Sequence, residues 1–273
     1  MGMLGVHKYF GYGSNMDMTA LRAKGVVPIR SVPATLHGWR LRFNVEHFFR
    51  HEGGVGNIAP TDDPAARVLG VLHWCNDGDL VALDKLEARG VGYDRVSVEL
   101  QTPNGAETGF AYVGLPEYVN DTCLPTRRYL NILLRGARNV GLDASYIAEL
   151  EAHEILPPLD PPPFVPPHQS RLFDHNDLVA VRTALSGHLF DMTSARAAHR
   201  VAQDWFAAKD VTMFLLRRMD SSNGNETLND VVTGRLNVNQ RRYLDAYLKA
   251  FCEEYEYVGP FNYAGIPSAK LMG

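Results

Sequence analysis

The stretch LPPLDPPPFVPPH, residues 156–168, does most to limit how this chain can fold. It holds Pro157, Pro158, Pro161, Pro162, Pro163, Pro166 and Pro167, seven of the 16 prolines among 273 residues. Each proline fixes φ and removes a backbone donor, so neither a helix nor a central strand survives that density. An extended, polyproline-like strap is expected, either linking two domains or lying across one. We therefore expect an N-terminal domain over 1–155, a linker or strap over 156–168, and a C-terminal region over 169–273.

The two sides differ in texture. Before the strap, strands are expected at 8–10, 34–44, 68–74, 95–101 and 108–113, where β-branched and aromatic residues alternate with polar ones. Helices are expected at 16–24, 79–88, 125–140 and 144–154. That mixture reads as an α+β fold, a sheet or small, mixed, partly closed β-barrel with helices packed outside. After the strap the pattern turns mainly helical. Tyr243, Leu244, Tyr247, Leu248, Phe251 and Tyr255 form one stripe of a helix over 239–257, which Gly259-Pro260 would end. A second helix is expected over 195–208.

Composition removes several function classes. Hydrophobic residues at 45% and charged residues at 21% are ordinary for a globular chain, and a net charge of -4 gives no basic field for nucleic acid or anionic lipid. No apolar run approaches the ~20 residues that span a bilayer. The first ten residues lack the pattern of a secretory leader, and Val6 stands where a myristoylation signal wants Ser or Thr. Cys75, Cys123 and Cys252 are odd in number and far apart, which speaks against a disulfide framework or thiolate metal site. The expected setting is the cytoplasm, with no membrane or nucleic-acid partner.

Two segments carry chemistry. In GYGSNM, residues 11–16, a strand breaks into glycines at a helix start, so successive backbone N–H groups can form an anion-binding nest. Ser14 or Asn15 capping the helix, with Asp17 in its first turn, is the plain structural alternative. Met16 stands where dinucleotide and nucleophile-elbow motifs want glycine, and no Gly-Lys-Ser/Thr follows for a P-loop. In LVALDKLEARG, residues 80–90, Glu87 shares a helix face with Leu80 and Leu83 and falls in the last turn before Gly90. An inward acid at that end of a helix is placed to take up a proton, unless Lys85 or Arg89 simply pairs with it. His47 and His51, at i and i+4 without an acidic pattern, read as a solvated pair rather than zinc ligands. Tyr93, Tyr118 and Tyr129 read as half-buried aromatics on this evidence.

Taken together, the segments resemble the gamma-glutamylcyclotransferase (AIG2-like) superfamily. YFGYGSNM (9–16) is similar to its Tyr-Gly-Ser-Asn loop, and LDKLEARGVGYDRVSVEL (83–100) to its Leu-Asp-x-x-Glu segment. EGGVGNIAP (52–60) with VLGVLHW (68–74), and LPTRRYLNILLRGARNVGL (124–142), resemble the strands and helix around them. The resemblance runs from about residue 8 to 154 and leaves the C-terminal half unrecognised.

It implies a small mixed barrel that binds a γ-glutamyl group. Tyr12, Gly13, Ser14, Asn15 and Met16 would hold the glutamyl end, Tyr93 and Tyr129 would line the site, and Glu87 would be the general acid/base. The implied reaction is intramolecular. The substrate's α-amine attacks its own γ-carbonyl, giving 5-oxoproline and a free amine or amino acid, with no cofactor, metal or covalent intermediate. A non-catalytic binding or protein-interaction module on the same fold is the alternative. The helical half could narrow the substrate range, bind a partner, or make a homo-oligomer.

Overall fold

The computed structural model describes residues 5–158, 160–196 and 199–272. They form two compact units, Met1–Pro158 and Leu159–Gly273.

In the first unit five strands close a barrel. Strand β1 (Val6–Gly11) pairs antiparallel with β5 (Arg67–Asn76), which pairs with β2 (Arg30–His37). Strands β6 (Tyr93–Thr102) and β7 (Gly105–Gly114) form a hairpin. The ring closes through Thr35 opposite Gln101 and, in parallel sense, Tyr9 opposite Phe110. The barrel is thus mixed, and fully rather than partly closed. Strand alternation explains its filling: Phe10, Leu36, Val68, Leu72, Val98, Leu100 and Ala111 form one buried cluster drawn from all five strands. Gly70 makes room for it, because a Cβ there would lie 2.5 Å from the Gly11 carbonyl oxygen and 2.8 Å from the Phe10 ring.

The run at 34–44 is not one strand. Gly38, with φ of +75°, turns the chain out of β2 into β3 (Trp39–Glu46). Apolar alternation continues through the turn, so only the glycine marked it. Strand β3 pairs with β4 (Gly54–Pro60) as a separate two-stranded sheet. This hairpin packs against the end of β7, where a Cβ on Gly114 would meet Val45 Cγ2 at 2.3 Å.

Helix α1 (Met18–Ala23) is capped by Asp17, whose Oδ1 accepts from the amides of Thr19 and Ala20. Ser14 and Asn15, either of which is the cap in the structural alternative, instead lie in a 3-10 turn, Ser14–Met16. Helix α2 (Asp77–Leu86) begins with a capping box between Asn76 and Asp79. Helix α3 (Arg127–Asn139) buries Leu130, Leu133, Leu134 and Ala137 in a cluster that α4 (Ala144–Glu151) completes with Tyr146 and Leu150.

The second unit contains a four-stranded sheet besides its helices. Strands β8 (Arg182–Leu185) and β9 (His188–Asp191) are joined by Ser186 and Gly187, both at positive φ, +48° and +80°. Helix α5 (Arg200–Phe206) leads to β10 (Lys209–Asp210), which lies parallel to β8. Helices α6 (Thr212–Arg217), α7 (Leu228–Val232) and α8 (Val238–Glu254) follow, and β11 (Glu256–Pro260) pairs with β9. The α8 stripe buries Leu244, Tyr247, Leu248 and Phe251 as expected, but the helix ends at Glu254. Tyr255 is extended, and Tyr257 belongs to β11. The helical period happened to run on into a strand. Within the proline strap, the Phe164 amide donates to Asp245 Oδ1 at 3.1 Å and its ring lies 5.0 Å from the His188 ring.

Candidate active site

A polar cluster of the first unit joins the opening loop to the end of α2. Asn15, 4% exposed, is its centre. Its Nδ2 donates to Glu87 Oε1 at 2.9 Å and to the Tyr9 hydroxyl at 2.7 Å. Its Oδ1 accepts from Lys24 Nζ at 2.9 Å, and the same ammonium donates to Glu87 Oε1 at 3.0 Å. Glu87 thus pairs with neither Lys85 nor Arg89; Arg89 meets Asp84 and Asp94 instead. The α2 turn explains this. Ala88 takes a left-handed φ of +49°, and the amides of Ala88 and Arg89 close onto the carbonyls of Lys85 and Asp84. Arg89 follows that turn and leaves the Glu87 face, and Lys85, two residues before Glu87 on α2, does not share it.

The backbone of the loop is held from beneath. His73, fully buried on β5, contacts the Asn15 carbonyl oxygen through Nε2 at 3.0 Å and Ser31 Oγ through Nδ1 at 2.8 Å. A carbonyl only accepts, so Nε2 carries the proton and Ser31 donates to Nδ1. Burial lowers the His73 pKa to about 4, and the imidazole is neutral at physiological pH. From the other side α3 presses close at Gly136, where a Cβ would lie 2.7 Å from the Asp17 amide nitrogen and the Met16 carbonyl carbon. Arg135 and Asp17 form an ion pair beside it. Met16 itself is core, 1% exposed among α3 side chains, so it serves the site through its backbone.

Four phenols lie near the carboxylate. Tyr9, Tyr12, Tyr93 and Tyr129 are all buried, which raises each hydroxyl above its ordinary pKa; for Tyr129 the value is about 12. The charge of Glu87 adds to the rise in all four, so all four lie within electrostatic reach of the same carboxylate. The β3–β4 hairpin supplies the opposite wall. Tyr93 donates to the Gly56 carbonyl at 2.9 Å, and the Gly56 amide donates to the Tyr129 hydroxyl at 2.9 Å. That hydroxyl also lies 2.9 Å from where a Cβ on Gly13 would stand. Tyr12 donates to the Tyr112 carbonyl.

Helix α2 is itself clamped to the barrel. Asp84 accepts from Arg95 and from the Tyr112 hydroxyl, the latter at 2.7 Å. Burial opposes its ionisation, yet these donors hold its carboxyl below the ordinary range.

Of the residues expected from sequence, Tyr12, Gly13, Asn15, Tyr93 and Tyr129 therefore come together around Glu87. Ser14 is half-buried in the same turn. Tyr9, Lys24 and His73 were missed. His73 had a signal, as the lone basic residue in an otherwise apolar strand run. Lys24 had none, since nothing in sequence joins it to a glutamate 63 residues away. Outside the site, His47 and His51 are not on a common helix, and both ring nitrogens of His51 are buried rather than solvated. Among the described residues no group of three or more His, Cys, Asp or Glu is arranged to hold a metal, and no helix is long and apolar enough to cross a membrane.

Residues 9–130 match the family model described as "Gamma-glutamyl cyclotransferase, AIG2-like". A gamma-glutamylcyclotransferase of Mus musculus is 25% identical over 150 residues, covering 54% of this chain and 78% of its own. That of Homo sapiens is 27% identical over 148 residues, with the same coverage of each chain. A solved structure titled "Gamma-glutamyl cyclotransferase" superposes with a TM-score of 0.48 at 24% identity, covering 56% of this chain and 90% of that one.

Proposed function

With a domain of the gamma-glutamyl cyclotransferase, AIG2-like family at residues 9–130 as the premise, we propose that the first unit cleaves γ-glutamyl amides to 5-oxoproline and a free amine or amino acid. The observation that carries this reading is the pairing of Glu87 with Asn15. Two segments 72 residues apart in sequence meet at 2.9 Å, near four buried phenols. A base and a substrate-holding loop are what the reaction needs in one place.

In this reading the glutamyl chain folds against the Tyr12–Ser14 backbone, with Tyr93 and Tyr129 as walls. Folding brings the substrate's α-amine to its γ-carbonyl carbon, and that orientation supplies much of the acceleration of an intramolecular attack. Among the described residues both donors to Glu87 bind Oε1, so Oε2 is the atom assigned to the proton. As the new C–N bond forms, Oε2 takes a proton from the attacking nitrogen. It returns that proton to the departing nitrogen as the old C–N bond breaks. Every atom of the substrate is then found in the lactam and the released amine. Loop amides, or the Ser14 hydroxyl, stabilise charge on the carbonyl oxygen during the transfer.

The test is 5-oxoproline release by the full chain from a panel of γ-glutamyl dipeptides, γ-glutamylamines and glutathione. Activity on at least one compound, lost in a folded Glu87→Gln variant, supports the proposal. Turnover by Glu87→Gln at the parent's rate removes Glu87 from its role. No release from any member of the panel favours a binding module on the same fold.

A further inference from the structure

Lys24 is 8% exposed at its side chain, far more buried than an ordinary lysine. Its backbone is fixed as the C-cap of α1, with its amide donating to Leu21 and Arg22, and Gly25 follows at φ +75° to turn the chain away. The side chain spans from there to the C-cap of α2, where Glu87 sits. An ammonium is a donor only. Its contact to Asn15 at 2.9 Å therefore fixes that amide with Oδ1 toward Lys24 and Nδ2 toward Glu87 and Tyr9. The second contact, at 3.0 Å, holds Glu87 Oε1. One cation thus orients both members of the loop–base pair.

We propose that Lys24 is a positioning residue: it locks the Asn15 amide and Glu87 Oε1 in one arrangement that leaves Oε2 for the substrate's amine. The proposal rests on the reaction assigned above. Its chemistry separates it from a merely structural ion pair. A positioning cation affects the turnover of bound substrate, whereas an ion pair that only joins α1 to α2 affects folding.

The experiment measures kcat and KM for 5-oxoproline release, and thermal unfolding, in the full-length parent, Lys24→Met, Lys24→Arg and Glu87→Gln. Lys24→Met is expected to lower kcat about 10- to 100-fold with KM changed less than about 3-fold, because misplacement of a reacting group acts on the chemical step. Lys24→Arg, which keeps charge and donors, restores at least about a fifth of the parent's kcat. Where Lys24→Met does not fold, Lys24→Gln replaces it, with the same loss of kcat expected. An unchanged kcat, or a rise in KM alone, overturns the proposal. A parent with no activity overturns the reaction assignment instead. Unfolding of the Lys24→Met/Glu87→Gln double variant then decides the pairing. Non-additive shifts support it, and additive shifts overturn it.

Discussion

His73 donates from Nε2 to the carbonyl oxygen of Asn15 at 3.0 Å, tying the barrel wall to the turn that meets Glu87. The bond requires a proton on Nε2, and in the neutral ring Nδ1 is left to accept from Ser31. Burial holds the folded value near 4 against 6.5 for a free imidazole. Between these values the unfolded chain binds a proton that the folded one does not. The contribution of His73 is therefore complete above pH 6.5 and lost as pH falls toward 4, amounting to at most about 3 kcal/mol. Denaturant unfolding of the first unit at pH 5 and pH 7 checks it. His73→Gln, which keeps a donor but does not titrate there, is expected to flatten the difference, and an equal slope in both proteins refutes the assignment.

In the second unit the dependence has the opposite sign. Asp210 is 1% exposed, and its Oδ2 accepts from Thr212 Oγ1 at 3.0 Å and the Tyr263 hydroxyl at 3.1 Å. Burial outweighs these donors and raises its pKa from 3.8 to about 7. Here the folded state holds the extra proton. Stability is complete below pH 3.8 and is lost as pH rises through about 7, by at most about 4 kcal/mol. Unfolding of the full chain followed by a probe in the second unit is expected to weaken from pH 5 to pH 8. Asp210→Asn removes that trend.

Gly136→Ala tests how closely α3 must approach the loop. The added methyl would lie 2.7 Å from the Asp17 amide nitrogen and the Met16 carbonyl carbon, and 2.8 Å from Met16 Cβ. The first two are backbone atoms, so the loop or the helix has to move. We expect a loss of about 1–3 kcal/mol, typical of overpacking. Because the displaced segment holds Asn15, 5-oxoproline release should fall further than the unfolded fraction explains. Parallel unfolding curves and rates at saturating substrate separate the two effects.

The contrast between Glu87 and Lys24 shows where sequence was legible. Glu87 stood out because an acid on the Leu80/Leu83 face conflicts with helix periodicity, and local rules detect such conflicts. Its partner depended on where α1 ends relative to α2, which only the closed barrel sets. The barrel strands were legible as runs of six to ten residues rich in β-branched and aromatic side chains, β6 alternating and β5 almost continuously apolar. The break at Gly38 was not, since a single glycine with positive φ leaves the apolar pattern intact on both sides. The same limit applied at Tyr255, where three helical turns of aromatics ran into strand β11. Strand β10, of two residues, is too short to have a period at all.

Tyr129 offers the sharpest test of the substrate-side wall. Its hydroxyl accepts from the Gly56 amide at 2.9 Å and lies against the Ser14 amide, so one phenol oxygen bridges the β3–β4 hairpin and the opening loop. Burial raises its pKa to about 12, and the neutral phenol persists across any physiological assay. Tyr129→Phe preserves the ring among Phe43 and the α3 cluster but leaves the Gly56 donor unpaired. An unpaired buried amide costs about 1–3 kcal/mol. The Ser14 amide also loses its acceptor. Tyr129→Phe is therefore expected to destabilise the first unit by about that amount and to raise KM for a γ-glutamyl substrate. The kcat should change less than in Glu87→Gln, because the phenol positions substrate and transfers no proton. Steady-state kinetics of the two variants side by side settles the order, and a Tyr129→Phe enzyme with unaltered KM would remove the wall from the binding site.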